Sequence, residues 1–571
     1  MNASTAAPST AAGIGIDRTV AIRQIGTLRN WVVGAIVLSC AGMVSLNLVD
    51  PDLWGHVRYG QDWLADGTLH RTATHTYTAV GHPWVNHENL AELAMAEGYR
   101  VLGVRGLLLA KCAIGLGILA SMAWVARRHG VGPLLAWVFL WLIARNLQAF
   151  FPLRPQLLSF VWCAATLVAL DRAFRDWGDS LRVDWKPLAL VPIIMAVWVN
   201  SHGAFVAGLC IIGALLLGRI AEVISRRPAG YLKTSAGLSA VGIACLAATL
   251  CTPYGLELHR WLIASLGQPR PEITEWLPPT IDTPVFWPLV ALCVVTVAAV
   301  AGTTERRDWV QITILALVAY QAWSHLRHIA FFALLCGFWL PVHLRSALVR
   351  LRPSGVAMAG LSPGRAIRHT ALAALVVSCA MHGWVLAGNL RSFPVPRANY
   401  PVDAVQFMAD HGLHGRLVVS FNWAQYAIAA LADDGTTVGF DGRFRTCYPQ
   451  EVVDAHFDFL LGDAQGLRNR AATSGPVDGA RVLSLGKPDL VLVDRRYENS
   501  VEVMKRQQTL AAPEWSLLYR DRIAELWGRS SRYDHPQNED YLAPSVRRQD
   551  ATPRTGAIEW PALPTLNHPD A

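Results

Sequence analysis

The chain has 571 residues, of which 53% are hydrophobic and only 16% charged, against roughly 25% charged in ordinary soluble domains. That deficit excludes a string of soluble domains and points to a polytopic membrane protein with a soluble piece attached. The formal net charge of +8 does not indicate nucleic acid, because Lys and Arg sit in short loops between apolar runs, the pattern that orients membrane proteins.

Residues 1–30 open Ala/Ser/Thr-rich and read as a disordered cytoplasmic N-terminus. The uncharged run that follows, 31–49, has no small-x-small cleavage site after it, so it reads as a retained first membrane helix. Ten more candidate spans lie near 103–125, 131–150, 156–172, 188–200, 203–222, 236–252, 285–303, 309–324, 328–346 and 369–389. A bilayer core of about 30 Å needs about 20 residues per helix, so those at 156–172, 188–200 and 309–324 are short. Asn200-Ser201-His202-Gly203 breaks the pattern as a tight hairpin or a broken helix.

With the N-terminus in the cytoplasm, alternate loops collect most of the basic residues, among them Arg127, Arg128, Arg172, Arg175, Arg226, Arg227, Arg306, Arg307 and Arg345. The region after Asn389 then lies outside the inner membrane. Nine of the ten cysteines fall in or beside apolar runs and no CxxC occurs, so they read as small apolar side chains rather than a disulfide framework.

The first outer loop, 50–102, opens with "DPDLWGH". Asp-Pro-Asp is turn and helix-cap chemistry. A carboxylate poised where a span leaves the bilayer also suits a general base or a metal ligand. "DLWGHVRYGQDWLADG" predicts a helix capped by Asp52, with Trp54, Val57 and Leu64 broadly to one side. "VNHENLAELAMAEGYRVLG" predicts a second helix, with Leu90, Leu93, Ala94 and Tyr99 on its apolar side. Two such helices are expected to lie flat and roof a cavity between the spans. His56 stands four residues after Asp52, on the same helix face, and His87 and Glu88 can converge on it. Asp52, His56, His87 and Glu88 are compatible with a divalent metal, though no motif such as HExxH is present.

Four further outer connections bring polar groups to the same face: Arg154 in "PLRPQ", His202 in "WVNSHGAF", Glu275 in "PEITEW", and Arg327 and His328 in "WSHLRHIAFF". Each alone can be interfacial solvation. Together they offer cations to a phosphate whose lipid tail stays in the bilayer.

Residues 400–529 alternate a helical stretch, "VDAVQFMADHG", with short apolar runs, "RLVVSF", "TTVGFDGR", "DLVLVDR" and "WSLLYRD". This predicts a small extracytoplasmic α/β domain, in which Asp441 and Arg443 can simply pair in a turn. The tail, 530–571, is polar and Pro-rich and reads as disordered.

These residues resemble the GT-C class of membrane glycosyltransferases. More closely, "DPDLWGHVRYGQDWL", "HPWVNHENLAE", "LRPQLLSF", "WVNSHGAF", "TPYGLELH", "RHIAFFAL", "VSFNWAQYAI" and "FDGRFRTCYPQE" are similar to a group of bacterial membrane proteins described as glycosyltransferase-like. The resemblance implies a GT-C-like fold of about eleven spans and a polyprenyl-phosphate-linked sugar donor. It implies a catalytic base at Asp52 or Asp50, and donor phosphate held by Arg154, Arg327 or His328. His56, His87, Glu88, His202 and Glu275 complete the expected substrate site. Many members carry adjacent acids where this chain has Asp-Pro-Asp. The rival reading is a non-catalytic transporter or lipid-binding protein. Against transport stand the lack of internal symmetry between halves and the clustering of ionisable groups at one face.

Overall fold

The computed structural model describes residues 11–351, 365–464, 466–552 and 554–565. It comprises a helical membrane domain and an α/β domain. Among the described residues, seven helices are long and apolar enough to cross a membrane, or eight if the bent pair Leu326–Trp339 and Pro341–Arg350 is one span. Two shorter apolar helices, Trp185–Trp198 and Phe286–Gly302, stand among them. Every one of the eleven predicted runs coincides with a helix, the shortfall being length rather than type.

Helix α1 spans Ala11–Val44. Residues 1–10 of the expected disordered N-terminus lie outside the described residues; from Ala11 onward the backbone is helical and continuous with the first span. Residues adjoining a formed helix extend it without a new nucleation cost. Helix α2 spans Leu53–Asp66 and ends at Gly67 in the left-handed region. Helix α3, Asn89–Arg128, is two helices in one: Gly103, at φ 63°, breaks it into a loop helix and a span. A positive φ is cheap only for glycine, so this one residue turns the chain from the loop 50–102 into the span. Helices α4 (Pro133–Leu147) and α5 (Gln156–Ala173) follow.

The loop helix of α3 is rotated from the predicted face. Asn89, Ala91, Glu92, Met95 and Ala96 are buried, while Ala94 is exposed. The inward face carries polar groups because it borders a cavity, so apolar periodicity pointed the wrong way. Along α2, Trp54 and Val57 are buried as predicted, but Leu64 is exposed.

The α/β domain holds a five-stranded sheet in the order β3-β2-β4-β6-β5. Strands β2 (Arg416–Val419), β3 (Thr437–Val438) and β4 (Leu490–Asp494) are parallel; β5 (Trp515–Arg520) and β6 (Ala524–Arg529) form an antiparallel hairpin on β4. Each residue of β4 is buried, as a central strand covered on both faces must be.

The first outer loop joins this sheet. Tyr77 N–H donates to the Val438 carbonyl at 3.2 Å and Val438 N–H to the His75 carbonyl at 2.9 Å. Tyr59 and Trp84 pack in one apolar cluster with Phe440 and Phe444. The loop and the soluble domain are therefore a single packed unit.

The tail is not disordered. Strand β1 (Pro394–Pro396) pairs antiparallel with β7 (Ala557–Glu559). Trp560 is buried against Trp54, Tyr99 and Phe393. Trp54 Nε1 donates to the Pro561 carbonyl at 2.8 Å, and Tyr426 Oη to the Ala562 carbonyl at 2.6 Å. Average composition misjudged this segment because a few anchors, Tyr533, Ile558 and Trp560, order it. Residues 553 and 566–571 of the tail lie outside the described residues.

Candidate active site

A cavity of about 770 Å³ opens beneath the loop helices, between the spans and the α/β domain. Nine of the ten predicted site residues line it: Asp52, His56, His87, Glu88, Arg154, His202, Glu275, Arg327 and His328. Asp50 stands behind them, reached through Arg154.

Asp52 does not cap α2 with its side chain. Instead Asp50 Oδ1 accepts the Asp52 backbone N–H at 3.0 Å, a local turn that sets the entry to the helix. The Asp52 carboxylate is thereby free to face the cavity. Arg154 lies among three carboxylates: Nε is 2.5 Å from Asp50 Oδ2, Nη2 is 3.2 Å from Asp52 Oδ2, and Nη1 is 2.7 Å from Glu275 Oε1. Asp50 is 6% exposed and Asp52 29%, so only the second can meet a substrate directly. Burial pushes the Asp52 carboxyl up to about 6, with Arg154 opposing and Asp50 adding to the rise. That value suits a base working near neutral pH.

A second group adjoins it. His56 Nδ1 lies 3.3 Å from Glu92 Oε1 and 3.9 Å from Glu88 Oε2. Burial disfavours charge on His56, but Glu92, Glu88 and Asp52 outweigh it and raise the imidazole to about 9. Glu92 is itself fixed by Asn86 Nδ2, which donates to its Oε2 at 2.6 Å. Burial opposes ionisation of Glu88, yet His87, His56, His202 and Arg154 hold its carboxyl below the ordinary range.

His202 is set differently. Trp198 Nε1 donates to Ser159 Oγ at 2.8 Å, so the Ser159 hydroxyl proton is free for His202 Nδ1 at 3.0 Å. Ala204 N–H also donates to Nδ1, at 3.2 Å. Nε2 must therefore carry the proton, and it lies 3.6 Å from Glu88 Oε1. Burial pushes His202 down to about 3, with Arg327 reinforcing and Glu88 opposing. It is a neutral donor, whereas His56 is a cation. His87 stacks on Trp261 at 5.3 Å, and Gly203 allows that: a Cβ there would sit 2.9 Å from the His87 ring.

The opposite wall is basic. Arg270 and Arg327 lie over the Trp276 ring, 4.8 and 4.7 Å from its centroid. Arg327 makes no hydrogen bond or ion pair among the described residues. Arg270 Nε and Arg445 Nη2 are buried without a hydrogen-bond partner. By contrast Arg443 is fully engaged: Nε and Nη2 reach Asp441 at 2.9 and 2.6 Å, and the guanidinium lies between Tyr59 and Trp84. The Asp441–Arg443 turn expected from sequence thus serves as the joint between loop and domain.

His56, Glu88 and Glu92 offer ligand atoms within 4.8 Å of one another, one nitrogen and two carboxylates, a donor set that fits a divalent cation. The predicted metal set contained Asp52 and His87 and lacked Glu92. Asp52 belongs to Arg154, and His87 to Trp261. Sequence reasoning also left out Gln425, Gly442 and Arg445 of the α/β domain, and Arg270. Proximity to Glu275 was the one available signal, and only for Arg270.

No protein-family model matches the sequence, and no curated protein matches it significantly. Among solved structures the chain is similar to ArnT from Cupriavidus metallidurans bound to undecaprenyl phosphate, with 13% identity and a TM-score of 0.47 over 88% of this chain and 98% of that one. The apo state of the same protein gives 13% identity and a TM-score of 0.49 over the same shares. The arabinofuranosyltransferase AftD from Mycobacteria gives 15% identity and a TM-score of 0.44 over 88% of this chain and 40% of that one.

Proposed function

We propose that the chain is a membrane glycosyltransferase that moves a sugar from a polyprenyl-phosphate donor to an acceptor hydroxyl on the outer face of the membrane. One observation carries this reading: the cavity has two ends of opposite chemistry. The charged end holds Asp52, His56 and Glu88. The other end is an apolar arm between the helices Phe205–Arg226 and Trp309–Ser324, lined by Ala207, Ile211, Ile314, Leu317 and Val318. Leu317 is 57% exposed, so the arm reaches the surface that faces lipid. A polyprenyl tail fits the arm, and its phosphate then meets Arg327 and Arg270.

In this arrangement Asp52 takes the proton of the acceptor hydroxyl. The oxygen attacks the anomeric carbon, and the bond to phosphate breaks with its electron pair leaving on the phosphate. Arg327 and Arg270, already desolvated and without anionic partners at bonding distance, stabilise that developing charge. His202, held as a neutral donor, and the cationic His56 keep Glu88 ionised nearby. A divalent ion on His56, Glu88 and Glu92 would take the place of the His56 proton and supply the positive charge beside the donor instead. The outer-face assignment is supported by the basic loops, Arg127, Arg128, Arg226, Arg227, Arg306 and Arg307, at the ends of the spans away from the cavity.

The test is the full chain in lipid nanodiscs with a panel of polyprenyl-phosphate sugars and detergent-glycoside acceptors. Donor turnover is expected, and Asp52→Asn should lower it by about 10²–10⁴-fold, the usual loss for a general base. Donor binding without turnover in the wild type would leave a lipid-binding protein instead.

A further inference from the structure

We propose that the acceptor hydroxyl is held between the two domains, by Asp52 of the membrane domain and Gln425 of the α/β domain, beneath Gly442. This rests on the glycosyl-transfer reading above and assigns the nucleophile's seat.

Gln425 belongs to the helix Phe421–Leu431. Its side chain is 3% exposed and lines the cavity. Tyr59 Oη donates to Gln425 Oε1 at 2.8 Å. A phenol hydroxyl must find an acceptor when buried, so this bond fixes which way the amide faces. Nε2 points the other way, and it has no acceptor among the described residues. At the wall of the cavity that Gln425 lines, an amide donor without a protein acceptor marks a place where a ligand supplies one.

That place is defined by Gly442. A Cβ built there would lie 2.5 Å from Asp52 Oδ1 and 2.8 Å from Gln425 Nε2. The two atoms flank one point and yet make no hydrogen bond with each other. A single oxygen on the cavity side can reach both. Asp52 Oδ1 accepts only, and Gln425 Nε2 donates only. A hydroxyl satisfies both at once: its proton goes to the carboxylate and its lone pair receives the amide N–H. A protonated amine has no lone pair to receive the amide N–H, and an anion would be repelled by Asp52. In the reaction the proton passes to Asp52 Oδ1. The oxygen forms the new bond to the anomeric carbon, and the phosphate leaves with the electrons of the broken bond.

Two glycines make this seat possible through space, not backbone conformation. Any side chain at 442 would fill it. Gly55, on α2, lets the amide approach, since a Cβ there would lie 1.8 Å from Gln425 Oε1.

The first test is structural and needs no activity: cryo-electron microscopy of the full chain in nanodiscs, with glycerol as the hydroxyl probe. We expect an ordered oxygen within hydrogen-bond distance of both Asp52 Oδ1 and Gln425 Nε2, lost in Gln425→Leu while Asp52 stays in place. A Gln425 amide bonded directly to Asp52, or turned away from the cavity, overturns the inference. The second test is kinetic, with an octyl glycoside as acceptor. Gln425→Leu should raise the acceptor KM about tenfold and leave the donor KM unchanged, and Gly442→Ala should do the same more strongly. Both KM values moving together, or neither moving, overturns it. Failure of the wild type to turn over any donor refutes glycosyl transfer, while the microscopy still decides the hydroxyl seat.

Discussion

Arg154 Nε lies 2.5 Å from Asp50 Oδ2, a buried carboxylate paired with a half-buried arginine. The other two nitrogens of the same guanidinium serve Asp52 and Glu275. The arginine expected to hold donor phosphate is therefore committed to holding carboxylates.

Its loss should act on stability before activity. Arg154→Leu strands a buried Asp50 with two further acids beside it, and breaking a buried ion pair by removing one partner costs about 3–5 kcal/mol. Arg154→Lys should recover only part of this, because one ammonium cannot replace a three-nitrogen fork. Thermal unfolding of the detergent-solubilised protein measures both. An Arg154→Leu protein as stable as wild type would return the residue to the pool of phosphate ligands.

Arg327 should behave in the opposite way. It has no ion-pair partner among the described residues to strand, so Arg327→Gln is expected to leave thermal stability near wild type. A charge-assisted hydrogen bond is worth about 1.5–3 kcal/mol, so the donor KM should rise about 10- to 100-fold. Titration with a polyprenyl phosphate, read by intrinsic fluorescence from the adjacent Trp276, gives the affinity directly.

The pH dependence follows from Asp52. Burial, opposed by Arg154, raises its carboxyl to about 6, and a base works only when deprotonated. Turnover should climb about tenfold per pH unit below about 6 and level off above it. Stability moves the other way. The folded state holds the Asp52 proton more tightly than the unfolded state does, whose carboxyl has the ordinary value of 3.8. This stabilising term is fully present below that value and is lost as pH rises through about 6. At pH 7, Asp52→Asn should lower turnover by about 10²–10⁴-fold without lowering the melting temperature. A cap mutant would do the reverse, losing about 1 kcal/mol of stability and keeping activity.

Trp560→Ala tests the ordered tail. Removing a fully buried tryptophan costs about 3–5 kcal/mol, and Trp54, two residues from Asp52, would lose its neighbour. We expect a clear fall in melting temperature together with weaker turnover. A silent mutation would mean that the tail does not pack as described.

The spans, and the nine candidate residues that meet at one cavity, were legible because both write strong local signals. Apolar runs declare themselves, and polar groups at the ends of those runs are costly unless they do something. Which acid faces the cavity was not legible: Asp50 and Asp52 differ only in a turn hydrogen bond and in exposure. Gln425 and Gly442 could not be found from sequence, since 373 and 390 positions of chain separate them from Asp52. Glu92 stands one turn after Glu88 among the acids of that face, but it was not grouped with His56 and Glu88, because the predicted helix face was drawn from its leucines while the folded face is drawn by the cavity. The tail was misread because Tyr533 and Trp560 outweigh the many polar residues around them.

Strand β3 is the edge of the sheet, only two residues long, and residues 75–77 of the membrane loop lie along its open side. Cut free from the membrane part, the α/β domain would present an unpaired strand edge. It would also expose the faces of Phe440 and Phe444 that Tyr59 and Trp84 now cover. Bare edges and apolar patches of that kind recruit other chains. Proteolytic release of this domain would thus yield a sticky, self-associating fragment rather than a working soluble protein.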